Sequence, residues 1–197
     1  MVKILVTGAK GQLGSELDVL SVNYSSYEWI FADRTQITLD DLELLEIQLN
    51  QIQPDVIFNC GAYTAVDKAE TEKELAFTIN HLAVELIAKY TQKNNAKLIH
   101  ISTDYVFDGT SSIALNENEE TNPINVYGAS KRAGEITCLK ENPNSIILRT
   151  SWVYSKFGNN FVKTMQRLMQ EREAINVVND QIGSPTYAAD LAQAMVD

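Results

Sequence analysis

A phenol and an ammonium four residues apart form the most reactive pairing in this chain, Tyr127-Gly-Ala-Ser-Lys131. At that spacing the two share one face of a helix. A nearby cation favours phenolate, so a tyrosine placed this way is expected to have a lowered pKa and to pass a proton near neutral pH. Ser102-Thr103 closes the apolar run that begins at Lys97 and puts hydroxyls at the carboxyl end of a strand, where open α/β sheets hold their ligands. Thr103, Tyr127 and Lys131 are therefore the candidate catalytic residues.

A second group suits phosphate. Thr7-Gly-Ala-Lys-Gly-Gln-Leu-Gly14 sets glycines at 8, 11 and 14 between an apolar strand and a helix. Gly8 permits a tight turn, Gly11 lets backbone approach a pyrophosphate, and Gly14 lets the helix pack closely on the sheet. The helix N-terminus then offers amides and the positive end of its dipole. Asp33, nineteen residues beyond Gly14, is the expected acceptor for the adenosine ribose hydroxyls and favours NADH, while Arg34 beside it suits the 2′-phosphate of NADPH. The two argue in opposite directions, so the cofactor is NADPH or NADH.

These residues must be positioned by a sheet. Continuous apolar runs predict strands at Lys3–Thr7, Glu28–Ala32, Asp55–Asn59, Lys97–Ser102 and Ser145–Arg149. Helical spacing of leucines predicts helices over Gln12–Leu20 and Asp40–Gln51, and one long helix within Ala69–Lys93 carrying Leu75, Ile79, Leu82, Leu86 and Tyr90 on one side. Further helices are expected at Tyr127–Leu139, Phe161–Met169 and Ala188–Val196, with Ala174–Val178 extended. Such alternation predicts an α/β fold, a doubly wound parallel sheet of Rossmann type with helices on both faces. Residues 1–150 are read as the dinucleotide-binding domain and 151–197 as the start of a substrate-binding region. The last helix runs to Asp197 without a stop signal, which leads us to expect that part of a small carboxy-terminal lobe lies outside this sequence.

Composition narrows the partners. Sixteen Lys and Arg against 26 Asp and Glu give a net charge of −10, and no basic cluster interrupts it, which argues against nucleic acid and anionic membrane. No apolar run approaches the ~20 residues of a spanning helix, and a cytoplasmic location is expected. Cys60 and Cys138 read as small buried hydrophobes. His81 and His100 lie in no metal-like spacing, so no metal site is expected. Glu16 and Asp190 could meet across the interface of a homodimer, although exposed helix carboxylates are the plainer reading.

With the glycine loop, the Ser/Thr after the fourth strand and Tyr-x-x-x-Lys in place, the sequence resembles an extended short-chain dehydrogenase/reductase. Longer strings, Asn59-Cys-Gly-Ala-Tyr-Thr-Ala-Val-Asp-Lys-Ala-Glu70, Ser102-Thr-Asp-Tyr-Val-Phe-Asp-Gly109, Arg149-Thr-Ser-Trp-Val-Tyr154 and Asp180-Gln-Ile-Gly-Ser-Pro-Thr-Tyr-Ala-Ala-Asp-Leu191, are similar to the dTDP-4-dehydrorhamnose reductase family along essentially the whole chain. The resemblance implies reduction of the C4 ketone of a dTDP-linked 6-deoxy-hexulose to dTDP-L-rhamnose, with the dTDP-sugar as substrate. It implies that Tyr127 protonates the carbonyl oxygen, that Lys131 binds the nicotinamide ribose, and that Thr103 hydrogen-bonds the substrate. By the same resemblance Leu39, Ala62, Tyr63 and Thr64 line the cofactor, Gly11, Gln12 and Leu13 face its phosphates, and Asp104 and Trp152 contact the sugar nucleotide. Two departures stand out: Thr38 where the family often has Asp, and Cys60-Gly61 in place of small alanines.

Two other functions share these motifs. A nucleotide-sugar epimerase or dehydratase would keep the loop and the Tyr-Lys pair but cycle its cofactor. A regulatory subunit would bind dinucleotide without turnover. The Ser102–Gly109 string argues against the first and the intact Thr103, Tyr127 and Lys131 against the second.

Overall fold

Apolar residues on both faces of β1 (Val2–Thr7) make it the centre of the molecule: Ile4 and Val6 point one way and Leu5 the other, all almost fully buried. In the computed structural model, which describes residues 1–197, β1 is joined by β2 (Tyr27–Ala32), β3 (Val56–Asn59), β4 (Lys97–Thr103) and β5 (Ile146–Thr150). The strands are all parallel in the order β2-β1-β3-β4-β5. The chain therefore leaves β1 in one direction and returns to its other side, and a crevice opens above the carboxyl ends of β1 and β3.

Helices cover both faces. Helix α1 (Gln12–Ser21) and α8 (Ala188–Val196) pack Leu13, Leu17, Ala192 and Met195 with Ile4, Val6 and Phe58. On the other face α2 (Leu42–Ile52) and α5 (Ala83–Asn94) bury Leu45, Leu49, Val84 and Ile87 against Leu5, Ile57 and Leu98. Helix α6 (Val126–Glu141) lies beside α5 and is started by the Asn125 side chain, which accepts a hydrogen bond from Gly128 N–H at 2.7 Å. Helix α7 (Phe161–Glu171) buries none of its residues. A short parallel pair, β6 (Val153–Tyr154) with β7 (Thr186–Tyr187), was not expected; its two tyrosine rings stack at 5.3 Å.

The long helix expected within Ala69–Lys93 runs without a gap from Lys73 to Asn94, as α4 (Lys73–Phe77), a π-helical turn at Thr78–Leu82 and α5, with the short α3 (Val66–Ala69) before it. Its buried face carries Ala76, Asn80, Ala83, Val84, Ile87 and Thr91, so Leu75 and Leu82 sit 38% and 39% exposed instead of sharing a buried stripe. The cause is tertiary. Asn80 is buried, its amide holding both backbone polar groups of Tyr63 and the Ser130 hydroxyl, and α6 crosses so closely that a Cβ on Gly134 would lie 2.1 Å from the Asn80 carbonyl oxygen. Packing overrides periodicity here, and the wide turn is the adjustment. Ala174–Val178 forms no strand either; Val177 and Val178 are exposed and no sheet edge reaches them.

Candidate functional site

Gly8 leaves β1 at φ +65° against Gly61, where a Cβ would sit 2.8 Å from the Gly61 Cα, so neither strain nor space admits a side chain. The chain then turns through Gly11 N–H to Gly8 O at 2.9 Å and enters α1 with no side-chain cap. The first amides of α1 are thereby free to meet an anion, which is the arrangement a pyrophosphate requires. The Gln12 side chain is engaged elsewhere: it donates to Val153 O at 3.2 Å and accepts from Asn160 at 2.9 Å, tying the 153–160 segment to the loop.

Above β1 and β3 lies a cleft of about 1160 Å³, larger than the ~300–1,000 Å³ of ordinary ligand pockets. Every sequence-predicted site residue lines it except Gly14, which lies behind the loop in the first turn of α1. Gly8, Gly11, Gln12, Leu13, Asp33, Arg34, Leu39, Ala62, Tyr63 and Thr64 form one part, and Thr103, Asp104, Tyr127, Lys131 and Trp152 the other. Thr38, standing where a family Asp is common, is also on this wall.

At the far end Asp33 is held by an ion pair with Lys10 and by Thr35, whose N–H and hydroxyl both donate to it. The Lys10 contact, then Thr35, keeps its carboxyl well below the usual range. Lys10 was not singled out in the sequence, yet it partly cancels the charge with which Asp33 would repel a 2′-phosphate. Asp33→Ala removes the ribose acceptor and releases Lys10 beside Arg34. We expect NADH affinity to fall by on the order of tenfold, with NADPH affinity unchanged or higher. Dissociation constants for both cofactors, before and after the change, measure this; an equal loss in both would place Asp33 outside the ribose site.

Tyr63 is fixed by Asn80 at its backbone and by Glu72 at its ring, the phenol donating to Oε2 at 2.6 Å; that carboxylate pushes its pKa up to about 12. Asn80 is a residue that periodicity concealed, since it lies on a second apolar stripe with Ala76, Ala83, Val84 and Ile87, away from Leu75 and Leu82. A polar side chain in such a stripe is the signal that could have found it.

At the reactive end Tyr127 is 9% exposed and Lys131 2%, one turn apart on α6 as expected. Their electrostatics differ from expectation. Burial raises the Tyr127 pKa, the Thr103 hydroxyl opposing this and the Asp104 charge adding to it. The Lys131 amine is engaged with β4: it donates to Ile101 O at 2.6 Å and lies 3.4 Å from His100 Nε2. Burial also lowers Lys131 to about 8. The Thr103 hydroxyl donates to Asp104 Oδ1 at 3.1 Å and accepts Tyr105 N–H at 3.2 Å, and burial raises the Asp104 pKa. Trp152 adopts φ +46°, unusual for a bulky residue, and its indole packs on Gly183.

Behind α6 the buried Glu135 carboxylate receives both Nε and Nη2 of Arg149 at 2.8 Å, with Arg132 at 3.5 Å; Arg149 also stacks over Phe107 at 5.1 Å. Glu16, read as an exposed helix carboxylate, is instead 4% exposed and accepts from Ser155 at 2.6 Å, because the 153–160 segment folds over α1. No group of three or more His, Cys, Asp or Glu is arranged to hold a metal.

Comparison with known proteins matches residues 2–197 to the family model described as the RmlD substrate binding domain. The chain is a member of the dTDP-4-dehydrorhamnose reductase family. It is 42% identical to the dTDP-4-dehydrorhamnose reductase of Aggregatibacter actinomycetemcomitans over 196 residues, which is 100% of this chain and 67% of that protein. Among solved structures, the reductase of Clostridium acetobutylicum superimposes with a TM-score of 0.94 at 39% identity, covering 99% of this chain and 69% of that one. The Bacillus anthracis reductase, solved in complex with NADP, gives 0.93 at 44%, covering 100% and 70%. The chain thus spans about two thirds of the length of these relatives. No helix is long and apolar enough to cross a membrane.

Proposed function

We propose that this chain forms the dinucleotide-binding and catalytic part of a reductase that converts the C4 ketone of a dTDP-linked 4-dehydro-6-deoxy-hexose to the alcohol of dTDP-L-rhamnose. The family uses NAD(P)H, and the relatives carry the reductase name. The observation that carries the assignment to this chain is the convergence of Thr103, Tyr127 and Lys131 on the same cleft as the uncapped amides of α1.

The residues present fit a dinucleotide. The free α1 amides suit its pyrophosphate, Asp33, Lys10 and Arg34 stand where its adenosine ribose would reach, and Leu39, Ala62, Tyr63 and Thr64 would line its length. When bound, the reduced nicotinamide supplies the hydride. Tyr127 gives its phenolic proton to the ketone oxygen, so hydride and proton together complete the alcohol. Burial keeps that phenol protonated through neutral pH, as a donor must be. Thr103 swings its hydroxyl from Asp104 to the same oxygen and steadies the developing negative charge. Lys131, anchored by Ile101 O, keeps a further N–H donor for the nicotinamide ribose. Asp104 and Trp152 bound the sugar, and residues 151–197 contribute to its binding.

The experiment is the loss of NAD(P)H absorbance on adding the dTDP-4-keto sugar. One equivalent of cofactor oxidised per sugar reduced is the expected result. Redox-neutral conversion of the sugar would point to an epimerase or dehydratase instead.

A further inference from the structure

Lys131 stands at one end of a row of buried polar groups that crosses three strands. Thr7 at the end of β1, Asn59 at the end of β3 and His100 in β4 are each 1% exposed or less. Gly61 N–H donates to Thr7 Oγ1 at 3.0 Å, and Thr7 Oγ1 lies 2.7 Å from Asn59 Oδ1. Asn59 Nδ2 is 3.1 Å from His100 Nδ1, and His100 Nε2 is 3.4 Å from Lys131 Nζ.

Hydrogen bookkeeping along this row fixes a tautomer. Thr7 accepts from Gly61 and gives its own hydrogen to the Asn59 carbonyl, the arrangement that leaves no hydrogen of the row without an acceptor. The Asn59 amide then donates to His100 Nδ1, which must be the unprotonated nitrogen. The proton of the neutral ring is left on Nε2, facing the Lys131 nitrogen. A neutral amine can accept it. An ammonium, which has no lone pair, cannot.

We propose that His100 is a positioning residue for Lys131: held by Thr7 and Asn59 with its proton on Nε2, it favours the neutral amine of Lys131 over the ammonium. This rests on the reading of Lys131 given under the proposed function. The other groups facing Lys131 do not replace His100. Glu135, on α6, is already paired with Arg149 and Arg132, and the thiols of Cys60, after β3, and Cys138, on α6, are held neutral by burial.

When Lys131 takes up a proton, the row must turn over. The ammonium donates to Nε2, the ring proton is lost there and one is gained at Nδ1, and the Asn59 amide reverses so that its oxygen accepts. Thr7 then receives two N–H groups and its hydroxyl hydrogen loses its acceptor. Net uptake is one proton, yet four side chains change state. The phosphate loop is part of the row, because Thr7 directly precedes Gly8.

The chain has only two histidines, His81 and His100, so ¹⁵N-histidine labelling with a His81→Gln spectrum for assignment isolates the buried ring. Above the titration of Lys131 we expect the Nε2–H tautomer, giving way to Nδ1–H as pH falls through it, within a range of about pH 6 to 10. Lys131→Met should abolish that pH dependence. Thr7→Val, which frees the Asn59 amide to turn, should mix the tautomers at high pH. One tautomer throughout the range in the unaltered protein overturns the proposal, even if Thr7→Val fails to fold. These spectra do not depend on turnover, so a failed assignment of Tyr127 and Lys131 to catalysis would show separately, in the rates.

Discussion

Tyr127→Phe is expected to lower turnover of the dTDP-4-keto sugar by about 10²- to 10⁴-fold, the contribution of a positioned acid. The ring stays, so its edge-on contact with Tyr105 at 5.5 Å and the start of α6 are retained. Stability should change by no more than about 1 kcal/mol, the usual worth of one hydrogen bond, and cofactor affinity should barely move. Single-turnover rates with saturating cofactor, set beside a denaturation curve, separate these quantities. Near-normal turnover in a folded variant would remove Tyr127 from the mechanism and shift attention to Asp104, the half-buried acid beside Thr103 whose pKa is raised.

Arg149→Ala is expected to destabilise the protein by about 3–5 kcal/mol, because it strands a charge and does not merely delete a pair. Glu135 is 1% exposed and takes two parallel hydrogen bonds from Arg149; the remaining Arg132 reaches it at 3.5 Å only. The double change Arg149→Met with Glu135→Leu, which removes both charges and keeps the volume, should recover most of the loss. Urea denaturation of the three proteins measures it. If Arg149→Ala costs under 1 kcal/mol, Arg132 alone is sufficient to neutralise Glu135. The consequence reaches the site, since Glu135 lies one turn beyond Lys131 on α6.

Much of this was legible before any coordinates. Strands buried on both faces announce themselves as apolar runs, and the glycine loop and Tyr127-x-x-x-Lys131 sit at fixed distances along single elements, so local spacing suffices to find them. What was hidden depends on residues far apart in the chain. The π-helical turn within the long helix goes with Asn80 reaching back to Tyr63 and forward to Ser130. Lys10 meets Asp33 only once β1 and β2 are paired. The Tyr127 pKa was misjudged for the same reason: its spacing from Lys131 is local, but the burial that raises it comes from the tertiary fold. His100 did leave a trace, a polar residue in the middle of a strand otherwise apolar, which a sheet covered on both faces does not tolerate without partners.

The π-helical turn at Thr78–Leu82 makes length, more than identity, the quantity that heredity must preserve in this stretch. A wide turn amounts to one residue slipped into an α-helix. It sets the azimuth of α4 against that of α5, each residue of a regular helix advancing by about 100°. Losing a single codon here would let a regular helix re-form while rotating Asn80 away from Tyr63. The wall of the cleft would then lose its anchor with no side chain in it altered. Point substitutions on the exposed side, at Leu82, leave that phase intact. The exposed positions of the segment should therefore drift in composition among descendants of this gene, while Asn80 and the count of residues hold.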